Sequence, residues 1–167
     1  MIAPELPEAE ALLEMLTAQM RTQVSPDTGL IGIVTGGAWI AERLHESLKL
    51  TVPMGTLDVS FYRDDFQRKG LKRQVASSDI PFEVEGRHLI LVDDVLFTGR
   101  TIRAAMNELF DYGRPASIRL AALVDRGGRE LPIAAQFSGA TLALPPQQDI
   151  ELQRDAQGRL KLVLAAH

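Results

Sequence analysis

The densest chemistry in the chain lies in thirteen consecutive residues, Leu89-Ile90-Leu91-Val92-Asp93-Asp94-Val95-Leu96-Phe97-Thr98-Gly99-Arg100-Thr101. An apolar run leads into two adjacent acids and then into a turn of small and hydroxyl residues. Thr98, Gly99 and Thr101 offer hydroxyls and a backbone without Cβ where a helix would begin, and a helix N-terminus exposes N–H groups that its own carbonyls do not satisfy. A phosphate monoester fits such a cradle. Asp93 and Asp94 cannot bind phosphate, but they can accept hydrogen bonds from vicinal ribose hydroxyls and help to position hydrated Mg²⁺. Together the parts describe a ribose 5-phosphate site. An isolated acid pair after a strand also solvates a loop or caps a helix, so the whole pattern carries the reading.

Such a cradle needs a strand before it and a helix after it. His88 to Val92 is a continuous apolar run, as expected for a strand covered on both faces. Arg100 to Tyr112 sets Ile102, Ala105, Met106, Leu109 and Phe110 at helical spacing and stops at Gly113-Arg114-Pro115. Ligands of open α/β sheets bind beyond the C-terminal strand edge, which is where the acids fall. A second strand, turn and helix precede them: Leu30 to Val34, then Thr35-Gly36-Gly37, then Ala38 to Leu50 with Ile40, Ala41, Leu44 and Leu48 at helical spacing. Leu57, Val59 and Phe61 alternate with Asp58, Ser60 and Tyr62 as in a strand with unlike faces, and Ile118 to Val124 reads as a buried strand.

Alternation of strand and helix predicts an α/β fold, a parallel sheet core flanked by helices with right-handed crossovers. In front of it, Ala9, Leu12, Leu13, Leu16 and Met20 recur at spacings of three and four, the pattern of an amphipathic docking helix over about 8–23. Beyond Val124 the pattern breaks. Pro132, Pro145, Pro146 and Asp155-Ala156-Gln157-Gly158 divide short apolar stretches into small strands and turns. The 167 residues are thus read as one domain, with a core over about 24–125 and a smaller C-terminal unit over about 126–167.

Cysteine is absent, which removes disulfides, thiolate metal sites and cysteine nucleophiles together and fits the cytoplasm. Glu5, Glu8, Glu10 and Glu14 stand where an export signal would carry basic residues, and no apolar run reaches membrane-spanning length. The net charge of −4 supplies no global attraction for nucleic acid or acidic lipid. His45, His88 and His167 share no metal-ligand spacing. Between Asp64 and Arg87 lies a connection longer than ordinary. Its stretch 63–73 sets Arg63, Arg68, Lys69, Lys72 and Arg73 against Asp64 and Asp65, either as a solvated basic run or as cations for an anionic ligand.

The thirteen-residue pattern closely resembles the PRPP-binding signature of type I phosphoribosyltransferases. Gly55 to Asp65, Gly113-Arg114-Pro115, Val124-Asp125-Arg126-Gly127 and Arg129-Glu130-Leu131-Pro132-Ile133 extend the likeness to one subfamily, the bifunctional pyrimidine-operon regulators and uracil phosphoribosyltransferases. It runs from about Ile31 to Gly139. The resemblance implies the type I fold, a C-terminal hood over the base, a flexible loop and a homo-oligomer, dimer or tetramer. It implies a Mg²⁺-dependent transfer of ribose 5-phosphate from PRPP to uracil, giving UMP and pyrophosphate.

Carried over by position, Asp93 and Asp94 are the catalytic acids that meet ribose and, through water and PRPP, Mg²⁺. Phe97, Thr98, Gly99, Arg100 and Thr101 hold the 5-phosphate, and Thr35, Gly36 and Gly37 form the pyrophosphate loop. The flexible loop corresponds to Arg63, Arg68, Lys69, Lys72 and Arg73, and the base meets backbone groups near Asp125, Arg126 and Gly127. Three departures stand out. A histidine is expected at the position of Gly128, and Gram-positive members carry an arginine where this chain has Gly36 and basic residues where it has Ala134 and Ala140. The last difference, with the negative charge, speaks against an RNA partner, although the subfamily implies one. Purine-using relatives carry an aspartate at the position of Phe97, whose ring either lines the site or packs at the loop base; its lack of an acid argues against a purine.

Overall fold

The computed structural model describes residues 5–60 and 78–166. Its elements are α1 (Ala9–Arg21), β1 (Gly29–Ile33), α2 (Gly36–Leu48), β2 (Gly55–Leu57), β3 (His88–Leu96), α3 (Arg100–Phe110), β4 (Ser117–Asp125), β5 (Phe137–Thr141), β6 (Gln148–Arg154) and β7 (Leu160–Ala166). Five strands form one sheet in the order β2-β1-β3-β4-β5, and every neighbouring pair is parallel. β6 and β7 make a separate antiparallel hairpin.

Side chains alternate across the central strands and build two cores. Leu30, Ile90, Val92, Ala121 and Leu123 face α1 and α2, whereas Ile31, Leu89, Leu91, Leu120 and Ala122 face α3. Helices therefore cover both faces, as the continuous apolar runs require. The docking helix buries all five of its periodic apolar residues. Leu16 and Met20 have no exposed surface, and truncating either to alanine would cost about 2–5 kcal/mol.

Glu10 ties α1 to two other elements. Its carboxylate accepts both terminal nitrogens of Arg43 in α2, at 3.1 and 2.6 Å, and the N–H of Leu160 at the start of β7, at 2.8 Å. The Arg43 hydrogen bond holds this carboxyl below the ordinary glutamate value, with the Leu160 N–H adding to the effect against partial burial.

Three readings of the sequence change. β5 belongs to the core sheet, in register with β4 from Ala121↔Phe137 to Asp125↔Thr141, so only part of the expected smaller unit lies outside the sheet. That part, the hairpin, sends Ile150, Leu152, Leu160 and Leu162 into the core shared with α1 and α2. Phe110 leaves the buried stripe of Ile102, Ala105 and Leu109 and is 56% exposed, because α3 ends there. β2 is only three residues long, although Leu57 and Val59 are buried as their alternation requires.

The basic residues Arg63, Arg68, Lys69, Lys72 and Arg73 lie outside the described residues. The positions flanking them meet at Asp58: its carboxylate accepts the Ser60 N–H at 2.9 Å and its own N–H donates to the Ser78 hydroxyl at 3.2 Å. Ser78 in turn donates to Glu108 of α3 at 2.7 Å. Among the described residues, no helix is long and apolar enough to cross a membrane.

Candidate active site

From β1 the chain proceeds outward to β2, and from β3 it proceeds the other way to β4 and β5. The sheet therefore reverses direction between β1 and β3, and a crevice must open beyond their C-terminal ends. Asp93 and Asp94 stand there. Contrary to the expectation that the strand stops at Val92, β3 continues through the acids to Leu96. On one side it loses β1 after Gly32↔Val92, while on the other it stays paired with β4 as far as Leu96↔Asp125. One-sided pairing keeps the acids in extended backbone and leaves the β1 side open. Asp93 is 3% exposed and Asp94 half-buried. Each turns one carboxylate oxygen onto the next N–H of the chain, Asp93 to Asp94 at 2.9 Å and Asp94 to Val95 at 2.8 Å.

The turn after β1 places Thr35, Gly36 and Gly37 against these acids. Gly36 and Gly37 are the first residues of α2 itself, with Thr35 as the N-cap and a cis peptide between Val34 and Thr35. A Cβ at Gly36 would run into the Asp94 carboxylate, and one at Gly37 into the Val92 carbonyl. At Gly37 the obstacle is the backbone of the strand that bears the acids, so glycine is demanded there; at Gly36 it is the Asp94 side chain.

The second turn, Phe97 to Thr101, leads into α3. Gly99 is its N-cap at φ 94°, and the Thr98 hydroxyl accepts the Arg100 N–H at 3.2 Å. The Arg100 guanidinium turns aside to Glu130 at 2.8 Å. At neither α2 nor α3 does an N-cap side chain bond the first turn, and neither first turn holds an acid. Two helix N-termini with no acid in their first turns therefore flank one pair of carboxylates, the Thr98 hydroxyl taking one N–H of the second.

Residues 125–133 grip the second turn from outside. Glu130 and Leu131 donate their N–H groups to the Thr98 carbonyl at 2.9 and 3.2 Å. Arg129 donates to the Phe97 carbonyl at 2.6 Å and to the Asp125 carboxylate at 2.7 Å. The other Asp125 oxygen accepts the Gly127 N–H at 3.0 Å. Arg126 gives its N–H to Leu96 at 3.0 Å and lays its guanidinium over the Phe97 ring, 4.0 Å from the centroid. Asp125 and Arg126, expected near the base, thus have their side chains engaged with the protein. Gly128 lies so close beneath Phe97 that a Cβ would strike the ring. Arg129 and Glu130 are the contributors that residue-by-residue reading passed over; their run Arg129-Glu130-Leu131-Pro132-Ile133 was visible only as a subfamily likeness.

The arrangement matches a known family. Residues 5–142 fit the model described as the phosphoribosyl transferase domain. The chain belongs to the phosphoribosyltransferases. "Bifunctional protein PyrR" of Pseudomonas savastanoi pv. phaseolicola is 52% identical over 151 residues, which cover 88% of this chain and 89% of that protein. Its namesake in Pseudomonas fluorescens is 50% identical over 161 residues, 94% and 96% of the two chains. These relatives carry the name of the subfamily that the motifs resemble. Among solved structures, a hypoxanthine-guanine phosphoribosyltransferase of Bacillus anthracis superposes with a TM-score of 0.66 at 21% identity, covering 89% of this chain and 87% of that one. A hypoxanthine phosphoribosyltransferase of Staphylococcus aureus gives 0.65 at 20%, covering 87% and 80%. At that identity these two speak for the fold alone.

Proposed function

We propose that this phosphoribosyltransferase moves the ribose 5-phosphate of PRPP onto uracil, forming UMP and releasing pyrophosphate, in the cytoplasm. The carrying observation is the pair of helix N-termini, free of acids in their first turns, that flank Asp93 and Asp94 at the sheet's reversal point. In this reading the Phe97 to Thr101 backbone and the Thr98 and Thr101 hydroxyls hold the 5-phosphate, the first N–H groups of α2 at Thr35, Gly36 and Gly37 hold the leaving diphosphate, and the acids hold the ribose hydroxyls. Inversion at the ribose C1 through an oxocarbenium-like state needs positioned reactants and stabilised charge, and no covalent nucleophile. The basic residues between Arg63 and Arg73 supply the flexible loop over the diphosphate.

The donor set fits Mg²⁺. Two carboxylates are too few for a cage built of protein alone, and among the described residues no group of three or more His, Cys, Asp or Glu gathers. They suit an ion that completes its shell with water and diphosphate oxygens. When bound, the ion neutralises charge on the leaving group.

Uracil is favoured over a purine because Phe97 offers no carboxylate to exchange a proton with a purine ring. The base lies under a hood drawn from residues 126–167, and the chain works as one domain in a homo-oligomer, dimer or tetramer. Incubating the protein with PRPP, Mg²⁺ and a panel of uracil, orotate, hypoxanthine and guanine tests the assignment. UMP is the expected product; turnover of a purine without uracil would refute it.

A second reading, an attenuation regulator that binds pyrimidine-operon messenger RNA and senses uridine nucleotides, draws on the "bifunctional" name of the relatives. The net charge of −4 speaks against it, as do Ala134, exposed, and Ala140, half-buried in β5. We expect feeble binding to a leader RNA. Submicromolar leader-specific binding strengthened by UMP at physiological salt would make regulation the primary role.

A further inference from the structure

Arg126 is a buried charged side chain beside the site. It is 5% exposed, and a buried guanidinium loses several kcal/mol of hydration that its partners must restore. Those partners are incomplete. One terminal nitrogen meets Asp149 at 3.1 Å, the other the Pro145 carbonyl at 3.3 Å, and Nε has no hydrogen-bond acceptor. Asp149 is itself 43% exposed, which weakens the ion pair. The remaining face of the guanidinium lies on the Phe97 ring, 4.0 Å from its centroid. A hydrophobic residue of similar volume would serve stability better, so the geometry of this arginine needs another reason.

Its surroundings supply one. Phe97 opens the turn that cradles the phosphate, and Gly128 lies against the same ring, where any Cβ would collide. The ring thus meets both Arg126 and the space that a side chain at Gly128 would fill. Asp149 and Pro145, which orient the guanidinium, belong to the start of β6 and the link before it. A continuous line of contacts therefore runs from the C-terminal hairpin through Arg126 and Phe97 to the phosphate cradle. Arg126 is too enclosed to reach a base without moving, and its own N–H is spent on Leu96.

We propose that Arg126 is a positioning residue: clamped by Asp149 and Pro145, it seats Phe97 and so fixes the 5-phosphate cradle, making the hairpin a support for PRPP binding. The proposal rests on reading residues 97–101 as that cradle. Loss of the buried guanidinium's cation–π contact together with a charged hydrogen bond should weaken phosphate binding by about tenfold.

The test is calorimetric binding of ribose 5-phosphate and of PRPP with Mg²⁺, alongside separate KM values for PRPP and uracil. Variants are Arg126→Met, Arg126→Lys and Asp149→Asn, with Arg154→Met as a control that removes another arginine from an aromatic ring, Trp39 at 4.8 Å. Arg126→Met should lose affinity for both sugar phosphates by about tenfold, with KM for uracil within about twofold of wild type. Arg126→Lys should recover part of the loss, Asp149→Asn should lose about threefold, and Arg154→Met should lose nothing. If Arg126→Met fails to fold, the half-exposed Asp149→Asn decides the matter. Wild-type sugar-phosphate affinity in both variants overturns the proposal, as does a rise confined to the KM for uracil, which would make Arg126 a base contact. A wild-type chain that binds neither sugar phosphate overturns the cradle reading itself, a failure distinct from an unchanged variant.

Discussion

The turn after β1 and the turn after β3 both end a parallel strand and start a helix at the same sheet edge, yet they are held in different ways. Thr35 to Gly37 keeps its place by the absence of side chains, with two glycines pressed onto the strand that carries the acids. Phe97 to Thr101 keeps its place by added contacts, with residues 125–133 donating to the Phe97 and Thr98 carbonyls and stacking on the Phe97 ring. The first device leaves no room for a Cβ at Gly37, where the obstacle is backbone. The second is built of several contacts and should yield by degrees, so sensitivity to mutation ought to differ between the two turns even where their ligand chemistry is alike.

The acids lie between the turns and serve both, so their loss should erase the contrast. We expect Asp93→Asn with Asp94→Asn to lower transferase turnover by about 10³-fold while the protein stays folded, since asparagine keeps the acceptors for the local N–H bonds. Steady-state kinetics beside a thermal melt will measure it; near wild-type turnover at saturating Mg²⁺ would break the assignment. Next in size, Gly36→Ala drives a methyl into the Asp94 carboxylate and should cost about 10²-fold in kcat/KM, the scale of a small misplacement at a reacting centre. Activity within threefold or so of wild type would show that the first turn is no stiffer than the second.

Arg129→Ala cuts one clamp of the second turn and leaves the others. KM for PRPP should rise about tenfold with kcat changed much less, a partial loss that contrasts with the alanine at Gly36. A collapse as deep as that of Gly36→Ala would erase the distinction. Least of all should either turn feel Glu10→Gln, which removes the ion pair of α1 with Arg43 and keeps an acceptor for the Leu160 N–H. Stability should fall by about 1 kcal/mol, held down by the solvent exposure of the Arg43 side chain, with activity unaltered. Because Arg43 holds the Glu10 carboxyl below the ordinary 4.5, its contribution is full above that value and is lost as pH falls through the lower folded one. Urea titrations of both proteins across that range should therefore converge at acid pH; a constant gap would remove Glu10 as the cause.

Much of this was legible in the residues. Apolar runs around Ile90 and Leu120 announced buried parallel strands, and the motif from Asp93 to Thr101 announced both the chemistry and its place. Other features were hidden for identifiable reasons. β5 has a single large apolar residue, Phe137, followed by Ser138, Gly139 and Ala140, so its membership of the sheet comes from pairing with β4 rather than from its own pattern. The acids were read as ending a strand because charge normally marks an exit from the core, whereas pairing on one side lets β3 run on. The burial of the Arg126 side chain was not legible, because sequence shows an arginine's charge and not its surroundings. Gly128 looked like a lost side chain, but its worth lies in the room it leaves for a neighbouring ring.

The tie between Glu10 and Leu160 also bears on how the molecule comes into being. The two residues are 150 positions apart, and the hairpin that opposes α1 is the last of the described elements in chain order. A ribosome adds roughly 5–20 residues each second, so α1 waits on the order of ten seconds for its partner to emerge. α2, β4 and β5 emerge earlier and pack on the stripe of Leu12, Leu13, Leu16 and Met20, so only the part of α1 that meets the hairpin waits through the whole interval. Contacts so distant along the chain also slow the closing step of folding, because loop entropy must be lost before the contact gives anything back.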